Sequence, residues 1–98
     1  MNHYMVEIDL PDELTDEFVS IIPYQREHIN HLMAKKIVSS YSLANDRTKL
    51  WVTVISDSAK EVEPVIQGFP LAKFIKWRIV ELIFYNSVAL SFPDISVN

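Results

Sequence analysis

From Tyr4 to Leu10 the chain alternates. Tyr4, Val6, Ile8 and Leu10 fall on one side, and Glu7 and Asp9 fall on the other. A period of two residues is that of a strand with one buried face, and Pro11 ends it. The pattern then changes. Leu14, Phe18, Ile22, Ile29, Leu32 and Met33 share one face at ~100° per residue, which predicts a helix from Asp12 to Lys36. Asp12 or Thr15 can cap it, with Glu13, Asp16 and Glu17 at its positive end and Lys35 and Lys36 at its negative end. Pro23 lies inside this run and predicts a kink or break near Ile22, because proline removes a backbone donor and crowds the preceding turn. Ile37 to Leu43 reads as a second strand, with Ser39, Tyr41 and Leu43 on one face. Asn45-Asp46-Arg47 reads as a turn. In Lys49 to Ile55, Leu50, Val52 and Val54 alternate with Trp51, Thr53 and Ile55, so the two strands form an antiparallel hairpin. Ser58 and Glu61 have capping-box spacing before a short helix, Ala59 to Gln67, that Gly68 stops. Phe69-Pro70-Leu71 turns the chain into a final strand predicted over Phe74 to Tyr85.

The order β-α-β-β-α-β predicts a ferredoxin-like α+β domain: a four-stranded antiparallel sheet with both helices on one face. One domain is expected over residues 1–85, followed by a tail, 86–98, whose Phe92 and Ile95 suggest docking on a neighbouring subunit. Helices on one side leave the other face of the sheet bare. Trp51, Ile55 and one apolar side of the last strand would then forgo ~1.5–3 kcal/mol per side chain in water. A second copy of the same face is the simplest cover, so an isologous homodimer, a dimeric α+β barrel, is expected. The composition agrees: 49% of the 98 residues are hydrophobic, more than a two-layer domain of this length easily hides.

Charge and composition remove several function classes. The net charge is −4, and the nine basic residues are scattered along the chain, so no nucleic-acid partner is expected. There is no cysteine and only one glycine, Gly68. That excludes disulfide and thiolate chemistry and glycine-rich phosphate loops. No stretch approaches the ~20 apolar residues of a membrane span. No membrane partner is expected, and a cytoplasmic location is the default expectation.

Candidate chemistry concentrates on the first helix. Tyr24, His28, His31 and Lys35 follow i, i+4, i+7, i+11 and form one strip beside the apolar face. His28 is a candidate general base, since an unperturbed imidazole titrates near ~6.5; a solvated helix face is the plainer alternative. His28 and His31 have metal-gripping spacing, but no acidic residue shares the strip, so no metal site is expected. Gln25 falls inside the apolar arc and Arg26 on its border. Either they face a ligand, as an amide and a guanidinium for a carboxylate, or Gln25 bonds backbone and Arg26 reaches to water. Tyr41 and Trp51 are candidates for an aromatic lining, or for ordinary core.

Taken together, the Tyr4-Met5-Val6 opening, the Arg26-Glu27 pair, the hairpin Trp51 and the stretch from Val65 to Leu82 resemble muconolactone isomerase. In that last stretch a short helix and Phe69-Pro70-Leu71 precede a terminal strand. The resemblance implies a dimeric α+β barrel, larger rings of dimers and a cofactor-free double-bond shift in a small unsaturated lactone. More distantly, YCII-related domains share the fold and often carry a helix histidine like His28. On this reading the candidate catalytic residues are His28, Arg26 and Glu27, and the candidate substrate-binding residues are Tyr24, Gln25, Tyr41 and Trp51. Two alternatives stand beside it: a non-catalytic binding or oligomerisation module, and a cofactor-independent monooxygenase of the same fold class. Convergence of these side chains on one cavity would favour the enzyme, and a cavity filled with apolar side chains would favour the module.

Overall fold

The computed structural model describes residues 1–88. The predicted docking residues Phe92 and Ile95 lie outside the described residues. The elements are β1 (Asn2–Asp9), α1 (Asp16–Ala34), β2 (Val38–Leu43), β3 (Lys49–Ser56), α2 (Ala59–Gln67), a 3-10 turn (Ala72–Phe74) and β4 (Lys76–Glu81). The sheet order is β2-β3-β1-β4, every neighbouring pair antiparallel. This is the ferredoxin-like α+β layout that the alternation predicts.

Register explains where the core sits. Tyr4 pairs with Val54, Val6 with Val52 and Ile8 with Leu50, so the alternating apolar residues of β1 and β3 stand side by side on one face. All six are nearly inaccessible, and they pack with Phe18 and Ile29 of α1 and Val62 and Ile66 of α2. Side chains of this size each contribute ~1.5–3 kcal/mol when fully buried.

Four local expectations are corrected. The long helix begins at Asp16, because Thr15 rather than Asp12 caps it: Thr15 Oγ1 accepts the Phe18 N–H at 3.2 Å. It runs unbroken through Pro23. The carbonyl that Pro23 leaves unpaired within the helix belongs to Val19, a residue 48% exposed, on a side of the helix open to water. Ser39, predicted on one face with Tyr41 and Leu43, drops out of the ladder where the β2–β3 register shifts between Val38 and Ser40, while Tyr41 and Leu43 stand opposite Val52 and Leu50. Around α2, Ser58 Oγ reaches Glu61 Oε1 at 3.4 Å, but no side-chain bond caps the helix backbone.

The last strand is shorter than predicted, and the side it leaves open is less apolar than expected. Phe74 belongs to the 3-10 turn, and pairing with β1 stops at Tyr4–Glu81. Trp77 and Ile79 pair with Ile8 and Val6 and so face the core. The open sheet face receives Lys76, Arg78 and Val80 instead. There they join Met5, Glu7 and Asp9 of β1 and Lys49, Trp51, Thr53 and Ile55 of β3. Lys49 donates to Asp9 at 2.6 Å, Arg78 to Glu7 at 3.2 Å, and Trp51 Nε1 to Glu7 at 3.4 Å. The Lys49 ammonium holds the Asp9 carboxyl below its ordinary range. The bare face is therefore of mixed character rather than an apolar sheet. Just after β4, Ile83 is 97% exposed and Phe84 76%, while Tyr85 stacks on His3 with centroids 4.4 Å apart. Among the described residues no helix is long and apolar enough to cross a membrane.

Candidate functional site

A cleft of about 250 Å³ opens between α1 and the β2–β3 hairpin. Phe18 and Ile22 of α1, Leu50 of β3 and Leu71 form its apolar walls, and Gln25, Arg26, Tyr41 and Arg47 supply its polar groups. At the ~30 Å³ that a water molecule occupies in the liquid, the space equals that of about eight waters, the scale of a small organic molecule.

Each polar group arrives from a different constraint. Gln25 stands seven residues after Phe18 and four before Ile29, on the helix face that meets the sheet, and is only 2% exposed. Its Oε1 accepts the buried backbone N–H of Leu71 at 3.2 Å. A backbone donor requires an oxygen opposite it, so this bond also fixes which way the amide points. The Nε2 is then left buried without a hydrogen-bond partner. Tyr41 comes from β2, opposite Val52, on the core side of the sheet. Burial pushes its phenol above the ordinary tyrosine value, while the nearby Gln25 amide and Arg26 guanidinium pull in the other direction. The Gln25–Tyr41 approach influences that titration but falls short of a formed hydrogen bond, so Nε2 counts as unpaired.

Arg47 comes from the hairpin turn. Its φ is 61°, in the left-handed region where a side chain is unfavourable. The turn holds it there: Arg47 N donates to Ala44 O at 2.9 Å, and Asp46 Oδ1 accepts from the Thr48 N–H at 3.0 Å and hydroxyl at 2.7 Å. Those bonds to Thr48 also hold the Asp46 carboxyl below its usual range. Among the described residues neither Arg26 nor Arg47 joins an ion pair.

Of the sequence-predicted site residues, Gln25, Arg26 and Tyr41 come together in the cleft. The other four do not line it. Tyr24 is 68% exposed and Glu27 points to solvent. His28 is half-buried, its ring edge-on to Phe69 at 5.9 Å between centroids. Trp51 lies on the opposite face of the sheet, against Glu7. Arg47 and Leu71 enter the site although sequence reasoning placed them only in turns. A positively charged residue right after Asn45-Asp46, where glycine or asparagine suits a left-handed position, was the one available signal.

The chain matches no model of a known protein family and no curated protein. What fold and site together define is a ferredoxin-like α+β domain with a small apolar cleft that carries one buried amide, one phenol and two guanidinium groups.

Proposed function

We propose that the protein binds a small, largely apolar molecule in the cleft between α1 and the β2–β3 hairpin. One observation carries this reading: the Gln25 Nε2 is buried, oriented by the Leu71 bond and unpaired within the chain. A buried donor without a partner costs about 1–3 kcal/mol, and a ligand acceptor would recover that once a small side-chain shift uncovers Nε2 to the cleft that Gln25 borders. The resemblance to muconolactone isomerase supplies one reaction for such a ligand, a proton removed at one carbon and returned at another. Support for that chemistry is partial. Gln25, Arg26 and Tyr41 line the cleft, whereas His28 packs on Phe69, and the lining contains no carboxylate or imidazole. Binding, not proton transfer through His28, is therefore the function that we put forward.

Ligand-observed NMR with trans-cinnamyl alcohol, trans-cinnamate and indole tests it. At least one probe should bind the wild type and lose binding in Ile22→Phe, which fills the cleft, with the fold unchanged by circular dichroism. Equal binding to the filled variant, or no binding by any probe, overturns the proposal.

We propose as well that the chain pairs with itself through the open sheet face. Its supports are the half-buried Met5, Trp51 and Ile55 and the exposed Val80 on that face, the exposed Ile83 and Phe84 that follow β4, and charges of both signs that suit a self-complementary contact. Sedimentation velocity at micromolar concentration should give a dimer that Trp51→Glu shifts to monomer. A wild-type monomer would refute it.

A further inference from the structure

We infer that the ligand of this cleft is an anion, a small carboxylate with an apolar body, clasped at its charged end by Arg26 and Arg47. This rests on the binding function proposed above and adds the ligand's charge. The two guanidinium groups approach the cleft from separate elements, α1 and the β2–β3 turn, and no acidic residue among its lining balances them. Both are exposed, so they sit at the solvent side of the cleft while Phe18, Ile22, Leu50 and Leu71 form its apolar wall. That polarity fits a ligand entering apolar end first, with its carboxylate in reach of the guanidinium forks that match it geometrically. The remaining polar groups are donors as well. Gln25 Nε2 has hydrogens and no acceptor, and the Tyr41 hydroxyl keeps its proton through neutral pH. A site of donors and cations selects an acceptor-only anion over a neutral alcohol or an amine.

The backbone at Arg47 points the same way. Glycine would meet a φ of 61° without strain, yet the chain carries there a long cationic side chain that lines the cleft. A residue held against its backbone preference, at the mouth of a cavity, is consistent with a functional use of that side chain.

The test compares trans-cinnamate with trans-cinnamyl alcohol, its neutral near-isostere, by isothermal titration against wild type, Arg26→Gln and Arg47→Gly, at low and at high salt. Cinnamate should bind about tenfold or more tightly than the alcohol, the equivalent of one charge-assisted hydrogen bond. Each arginine variant should weaken cinnamate several-fold and leave the alcohol unchanged, and high salt should erase the preference. Arg47→Gly should melt no lower than wild type, which separates loss of binding from loss of fold. Equal affinity for the two probes, or equal losses for both in the arginine variants, overturns the anion assignment and leaves the cleft as a neutral-ligand site. Failure of both probes to bind overturns this inference, and failure of indole as well overturns the cleft reading beneath it.

Discussion

Replacing Gln25 with methionine separates a residue kept for the fold from one kept for a ligand. Methionine is unbranched and of similar length, so the volume changes little. Two terms of similar size then oppose each other. Losing Oε1 strands the buried Leu71 N–H, now bonded at 3.2 Å, at a cost of about 1–3 kcal/mol. Losing Nε2 removes a donor that is already buried and unpaired, which returns a similar amount, and the thioether adds some apolar burial. The net change should lie within about 1 kcal/mol, a shift in melting temperature of no more than roughly 4–8 °C for a domain of this size. Urea unfolding at fixed protein concentration, followed by tryptophan fluorescence, measures it. Cleft binding of cinnamate should fall at the same time. A destabilisation above about 3 kcal/mol would refute the reasoning, because Nε2 would then have to be satisfied inside the fold, most simply by Tyr41.

Two further outcomes follow from single contacts. Thr15→Ala removes the acceptor of the Phe18 N–H and should lower unfolding free energy by about 1 kcal/mol, read by thermal denaturation. Tyr41 ionises later in the fold than in the unfolded chain. Its contribution is intact below the ordinary tyrosine value and is lost as pH rises through the raised one, so stability should fall on the alkaline side. Tyr41→Phe should flatten that alkaline limb in pH-dependent melts, and an unchanged slope would contradict the burial of the phenol.

The sequence made the sheet legible where one pattern held without competition. Val6 and Ile8 in β1, and Leu50, Val52 and Val54 in β3, could only be buried together, and their observed register does that. The last strand left its covered side open because both of its sides look apolar in sequence. Only pairing with β1 decides that Trp77 and Ile79 face the core while Lys76, Arg78 and Val80 stay outside. Pro23 misled for a different reason: the cost of a helical proline depends on whether water reaches the freed carbonyl, and that is a property of the packed helix. In the site, Gln25 was readable because a polar residue interrupts an apolar arc at helical spacing. Its partner was not, since Leu71 lies forty-six residues further on and touches it only through tertiary structure. His28 drew attention by residue type, and its position against Phe69 depends on how the segment after α2 packs back onto α1.

The side-chain amide of Gln25 gives the most direct reading of the central claim, that the cleft beside α1 holds a ligand. In nitrogen-edited NMR spectra recorded while trans-cinnamate is added, its two amide protons should shift strongly and saturably. The backbone amides of Leu71 and Tyr41 should move with the same apparent affinity. A Gln25 amide that stays in place while resonances of Met5, Trp51 and Ile55 move would put binding on the open face of the sheet and contradict the account.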